Sequence, residues 1–186
     1  MKPTFKAQPM QVQVPATSAN LGPGFDCLGL ALNMHDRYMA QVMDESGVDI
    51  DVTGEGADAV PTNDKNLVIK AMYKGFDFLG GRPRGISLRQ LNVIPHGRGL
   101  GSSAAAIVGG LALARALVLG GNERMTHEDM LNIANEMEGH PDNVAAAIYG
   151  SANVAWQESQ RNHVVAQSLN IEVDPRIGVL AFVPAT

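Results

Sequence analysis

Residues 95–106, PHGRGLGSSAAA, constrain this chain more than any other stretch. Three glycines alternate at Gly97, Gly99 and Gly101, and Ser102 and Ser103 then open a long run of small apolar residues. Glycine tolerates positive φ and lets a ligand approach the backbone closely. A turn of alternating glycines can therefore aim successive N–H groups into one concavity, a nest for anions. Residues 102–119 read as a helix, so the nest would sit at a helix N-terminus, where free amides and the dipole favour phosphate. No Lys follows Gly101, so the loop is not a P-loop, and the glycines lack the G-x-G-x-x-G spacing of a dinucleotide fold. Glycines alone would be read as an ordinary turn. The serine pair and the small-residue helix behind it favour phosphate binding.

Composition narrows the rest. The 186 residues are enough for one sizeable domain. With 45% apolar and 18% charged residues, the chain reads as a soluble globular protein, not a disordered one. A net charge of -5 without a basic stripe argues against a nucleic-acid partner. The single cysteine, Cys27, cannot form an internal disulfide and fits a reducing cytoplasm. The start, MKPTFK, lacks the apolar core of a signal peptide. The longest apolar run, 104–119, is interrupted by Gly109, Gly110 and Arg115 and is too short to span a bilayer, so no membrane partner is expected.

Periodicity predicts one α+β unit without repeats. Residues 11–14 alternate as a half-buried strand that Pro15 ends, and 16–26 read as a loop with turn residues Asn20, Gly22, Pro23 and Gly24. Two separate strands follow over 28–32 and 37–42, then another over 48–52. Residues 66–79 have helical spacing and stop at Gly80 and Gly81, and 85–94 form a strand leading into the glycine loop. The 102–119 helix is apolar almost all round and should be buried, its Gly109–Gly110 pair allowing close approach to a sheet. Gly120 and Gly121 read as its stop. Thr126 and Asp129 resemble a capping box that opens a helix running through Met137. Pro141 suits the first turn of a short helix through Ile148. Strands are expected over 152–156, 164–169 and 177–182.

The glycine string resembles the phosphate loop of the GHMP kinases. Residues 14–30, VPATSANLGPGFDCLGL, are similar to the N-terminal signature of the homoserine kinases within that family, and residues 138–145, EGHPDNVA, to its third motif. The resemblance runs from about Gln11 to the end of the chain. It implies the α+β fold of the GHMP kinase N-terminal domain (ribosomal protein S5 domain 2-like), a mixed sheet with helices packed on one side. Residues 1–186 would form this ATP-binding domain. Homoserine kinases are longer, with a C-terminal ferredoxin-like domain that this chain would lack, except for a start from about residue 175. The chain thus reads as an N-terminal portion in which one wall of the substrate pocket is absent.

By the same resemblance the activity is ATP-dependent phosphorylation of the L-homoserine hydroxyl, on the way to threonine, with ATP and Mg2+ as cofactors. The residues implied for ATP are Asn66, Pro95, His96, Gly97, Arg98, Gly99, Leu100, Gly101, Ser102 and Ser103. Ser103 and a glutamate, Glu138 in preference to Glu136, would hold the metal. Asn20, Asp26, His140 and Asn143 would bind homoserine, and Asn143 and Asp26 would act on the reacting hydroxyl. A purely structural account also exists: Asn20 and Asp26 are common turn residues, Asp142 could cap a helix, and Asn66 fits an N-cap. His35, His96, His127 and His163 share no metal-ligand spacing. Two alternatives remain, another small-alcohol kinase of the mevalonate type and a non-catalytic nucleotide-binding fragment. A homodimer is left open.

Overall fold

The computed structural model describes residues 2–160 and 163–183. Six strands form one mixed sheet: β1 (Met10–Ala19), β2 (Leu28–Met43), β3 (Gly47–Gly54), β4 (Gly85–Asn92), β5 (Ala152–Gln160) and β6 (His163–Ile171). Their order is β3-β4-β2-β5-β6, with β1 also paired to β2. β3 and β4 run parallel, joined by helix α1 (Leu67–Phe78), because a parallel pair needs a crossover. Every other pairing is antiparallel. The remaining helices are α2 (Ser102–Leu117), α3 (Gly121–Arg124), α4 (His127–Glu138) and α5 (Asp142–Tyr149). Among the described residues, no helix is long and apolar enough to cross a membrane.

The core lies between the sheet and the helices, and α2 runs through it. This helix packs against β1, β2, α1, α4 and α5. Ile107, Leu111, Leu113, Ala114 and Leu117 are each 0–1% exposed. Its glycine pair serves two neighbours. A Cβ on Gly109 would collide with the Tyr38 ring of β2, and one on Gly110 with the Val68 carbonyl of α1. The expected close approach to a sheet therefore holds for Gly109, while Gly110 faces a helix.

Local signals set the helix ends. Asn66 caps α1, its side-chain oxygen accepting from Val68 N at 2.9 Å and Ile69 N at 3.3 Å. Thr126 and Asp129 make the reciprocal capping box of α4.

Four sequence expectations change. β1 runs through Pro15 to Ala19, because the proline sits at a register shift where the ladder is already interrupted. The two strands expected over 28–42 are a single one, with Asn33 and Met34 left out of register. α2 stops at Leu117 since Val118 turns extended and bridges to Phe5, with Leu119 N donating to the Thr4 carbonyl. Gly120 then caps α3 instead of ending α2. Residues 177–182 are not a strand: they pair with no strand among the described residues, and Phe182 is 87% exposed. Apolar character alone does not make a strand without a partner edge.

Gly109→Val should destabilise the fold by about 1–3 kcal/mol, the usual cost of overpacking a filled core. Urea denaturation should show a lower midpoint with an unchanged slope. Unaltered stability would mean that Tyr38 and α2 are not in tight contact.

Candidate active site

The glycine loop is held from below by a buried carboxylate. Asp36 on β2 is 1% exposed. Its Oδ1 accepts from Val93 N at 2.6 Å and Ile94 N at 2.9 Å, and its Oδ2 accepts from the Tyr38 hydroxyl at 2.9 Å. Burial and the neighbouring Asp36 charge push the Tyr38 pKa far above its ordinary value, so the hydroxyl keeps its proton and donates. The chain leaving β4 is thus anchored just before Pro95.

Beyond that anchor, Gly97, Gly99 and Gly101 take φ of +67°, +69° and +68°, while Arg98 and Leu100 between them do not take positive φ. This alternation is the geometry of an amide nest. Gly97 and Gly99 have open space where a side chain would be, whereas a Cβ on Gly101 would strike Thr17 Oγ1. Leu100 is the buried residue of the turn, and its carbonyl accepts from Thr17 N at 3.0 Å. Gly101 is the N-cap of α2 and supplies no side-chain bond, so the first-turn amides remain available to a ligand.

Ser103, in the first turn of α2, donates from Oγ to Glu138 Oε1 at 2.6 Å. Glu138 is the last residue of α4, which Gly139 closes at φ +101°. Gln157 of β5 fixes this end, donating to Asn135 Oδ1 at 2.8 Å and to the Gly139 carbonyl at 3.0 Å. Of the two glutamates considered, Glu138 is the one bonded to Ser103, and Glu136 is exposed. The positive end of the α2 dipole thus meets the negative end of α4, so an anion and a cation are favoured side by side. Among the described residues, no three His, Cys, Asp or Glu side chains form a metal cage. A cation here would take Ser103, Glu138 and oxygens from a bound ligand, which suits Mg2+, an ion that uses few protein carboxylates.

Next to the loop lies a cleft of about 320 Å³. Val60, Pro61, Leu67, Val68 and Ala106 line its apolar wall, and Lys65, His96, Ser102 and Ser103 its rim. Apolar walls with a few polar groups suit a heterocycle. Asn66 also borders the cleft, but its polar atoms are committed. Its oxygen caps α1, and its nitrogen donates to the Pro61 carbonyl at 2.9 Å and to Gln90 Oε1 at 2.6 Å. Sequence reading missed residues 59–61 as a cavity wall, because they carry no periodicity and only the fold places them.

Between β1 and β2, residues 20–26 form a strained turn. Asn20, Leu21, Phe25 and Asp26 have φ of +67°, +41°, +41° and +59°. Such backbone persists only where surroundings impose it. Asn20 Oδ1 accepts from Asp26 N at 2.5 Å, and Gly24 N donates to the Asn20 carbonyl at 2.8 Å. The Asp26 side chain is exposed.

Facing this turn, His140 Nδ1 lies 2.7 Å from Asp142 Oδ1, which also accepts from Asn143 N at 2.7 Å. Asp142 is buried, and its Oδ2 has no partner. The hydrogen bond that His140 donates to Asp142 raises its pKa against partial desolvation, helped by the charges of Asp142, Glu138 and Asp26. Asn143 Oδ1 accepts from Thr17 Oγ1 at 2.8 Å. Loop, Ser103, Glu138, His140 and Asn143 all gather at the α2 N-terminus. Sequence reading missed Thr17, which it placed in a loop, and Asp36, whose signal was a lone acid between two apolar runs.

Residues 66–151 match the GHMP kinases N terminal domain. The homoserine kinase of Streptomyces coelicolor is 47% identical over 98% of this chain, which spans 57% of that protein. That of Streptomyces avermitilis is 45% identical over 98% of the chain, spanning 58% of the protein. The crystal structure of homoserine kinase from Cytophaga hutchinsonii superposes with a TM-score of 0.74 and 30% identity, covering 95% of this chain and 58% of that one. Sequence and fold agree: the chain carries a GHMP kinase N-terminal domain and is homologous to the N-terminal portion of the homoserine kinases.

Proposed function

We propose that the chain forms the nucleotide-binding portion of a cytoplasmic homoserine kinase, which moves the γ-phosphoryl group of ATP to the side-chain hydroxyl of L-homoserine. The observation that carries this reading is the junction of the glycine nest with the Ser103–Glu138 pair, 2.6 Å apart. The relatives that the chain resembles along nearly its whole length support the choice of acceptor.

The nest over Gly97–Arg98–Gly99–Leu100–Gly101 and the free α2 amides receive the phosphates, and the adjoining cleft, with His96 on its rim, takes the nucleoside. Asn66 shapes that cleft as the cap of α1. Ser103 and Glu138 would hold Mg2+, which would neutralise charge building between the β- and γ-phosphates. Asn143 orients the attacking hydroxyl oxygen, which forms the new P–O bond as the bond to ADP breaks. Asn20 holds the turn that presents Asp26, the free carboxylate for the substrate's ammonium or its hydroxyl proton. His140, held by Asp142 toward its cationic form, meets the substrate carboxylate. ADP release by the full-length enzyme, followed with homoserine, mevalonate and galactose as separate acceptors, tests the reading. Release on homoserine supports it, and release on another acceptor, or on none, overturns it.

Ser103→Ala and Glu138→Gln should each reduce Mg-ATP use far more than stability. Losing one exposed hydrogen bond costs roughly 1 kcal/mol of folding, whereas losing a metal ligand costs several kcal/mol in the transition state. Steady-state kinetics over a Mg2+ titration, beside thermal melts, separates the two. Lower melting with normal turnover would remove both residues from the metal site.

Gly99→Val should abolish nucleotide binding in a folded protein, since a β-branched residue resists positive φ and fills the nest. Gly101→Val should in addition lower stability through its clash with Thr17. Calorimetric titration with a non-hydrolysable ATP analogue on each variant reads the difference. Unchanged affinity of the Gly99 variant would mean that the loop is only a turn.

His140 should titrate above the range of a free imidazole, and Asp142→Asn should lower it, because the first cause of its shift is the bond to Asp142. The stabilisation from this pair is present below the unfolded imidazole pKa and is lost as pH rises through the folded one. Homoserine affinity should weaken over that same rise. NMR titration of the His140 ring proton, with homoserine binding measured in parallel, checks both. An ordinary titration midpoint would sink the assignment.

A further inference from the structure

Thr17 lies within the 14–30 signature but has been given no role so far, yet three parts of the site converge on it. It is 0% exposed, on β1 opposite Ala31 of β2. Its main-chain N–H leaves the strand ladder to donate to the Leu100 carbonyl of the glycine loop at 3.0 Å. Its hydroxyl donates to Asn143 Oδ1 at 2.8 Å. The Gly101 Cα lies directly against this hydroxyl, for a Cβ there would collide with Thr17 Oγ1 and come within 3.3 Å of Asn143 Oδ1. One buried residue therefore grips the loop with its backbone and Asn143 with its side chain.

The hydrogen bonds also decide which way the Asn143 carboxamide faces. Its nitrogen lies 3.5 Å from Asp142 Oδ1. The reverse orientation would set the carboxamide oxygen against that carboxylate, with repulsion in place of attraction. With Oδ1 taken by Thr17, Asn143 turns its amino group toward the His140–Asp142 side. It then presents a donor to a ligand oxygen, while Thr17 occupies one lone pair of its oxygen. We propose that Thr17 is a positioning residue that registers the glycine loop against Asn143 and fixes the Asn143 carboxamide as a donor. This rests on the kinase reading, because the donor orients the attacking oxygen relative to phosphates in the nest. The registration matters since a displacement of about 1 Å between reacting groups can cost on the order of 100-fold in rate.

Thr17→Val keeps the shape and the backbone bond to Leu100 and removes only the hydroxyl donor. Thr17→Ser keeps the donor. The first readout needs no activity: the side-chain amide signals of Asn143 by NMR, alone and with Mg2+ and a non-hydrolysable ATP analogue. The valine variant should shift these signals and weaken their response to nucleotide, while nucleotide affinity stays within about twofold and the serine variant matches the wild type. The second readout is kinetic. Turnover should fall about 10- to 100-fold in the valine variant with KM for ATP nearly unchanged, and serine should restore it, the pattern of a lost transition-state interaction. Should valine prevent folding, Thr17→Ala carries the same comparison. Unchanged Asn143 signals, or equal losses in the valine and serine variants, would overturn the role of Thr17. A full-length wild-type enzyme that fails to phosphorylate homoserine would instead overturn the kinase reading, leaving the Asn143 signals to judge Thr17 by themselves.

Discussion

Helix α2 is apolar on nearly every side, and it can be stable only if nearly every side is covered. Sheet strands β1 and β2 cover one face, and α1, α4 and α5 cover the others. Each fully buried Leu or Ile in it contributes about 1.5–3 kcal/mol, so these neighbours have little freedom to shift. Small residues make the fit tight, with Tyr38 seated on Gly109 and α1 on Gly110. Once the helix axis is fixed this way, the place where its first turn meets solvent is fixed too. The glycine loop opens there.

Two buried polar residues translate that fixed axis into a fixed loop. Asp36 takes two backbone amides from the residues entering the turn, and Thr17 takes the carbonyl of Leu100 near its exit. A buried carboxylate with three donors is stable, whereas one left short would be costly. The loop is thus clamped at both ends, while Gly97 and Gly99 between them stay open to a ligand. Preorganised amides of this kind spend no energy on reorientation when charge arrives.

The same packing brings opposite helix ends together. α2 offers its N-terminus and α4 its C-terminus at one point, where Ser103 meets Glu138. Neighbouring carboxylates Asp26 and Asp142 add negative charge around His140. Strain gathers here as well, in the positive φ angles of the 20–26 turn. The stable helical core thus carries a rim of strained backbone and closely spaced charge, a combination found at functional sites.

Much of this was legible in the residue order, because its causes are local. The capped starts of α1 and α4, the buried character of α2 and the loop–helix junction depend on residues a few positions apart, and each appeared where periodicity and capping placed it. Apolar pattern misled where partners decide. The 177–182 run has strand composition and no strand to pair with, and Pro15 fails to end β1 because β2 happens to slip register opposite it. The sequence already preferred Glu138 to Glu136, but the direct Ser103–Glu138 contact, the seat of Gly101 on Thr17 and the joining of Thr17 to Asn143 lay beyond it. Those contacts link residues 35 to 126 positions apart. Only the burial of α2 between the sheet and the other helices brings them within hydrogen-bonding distance, and no local preference encodes such a distance.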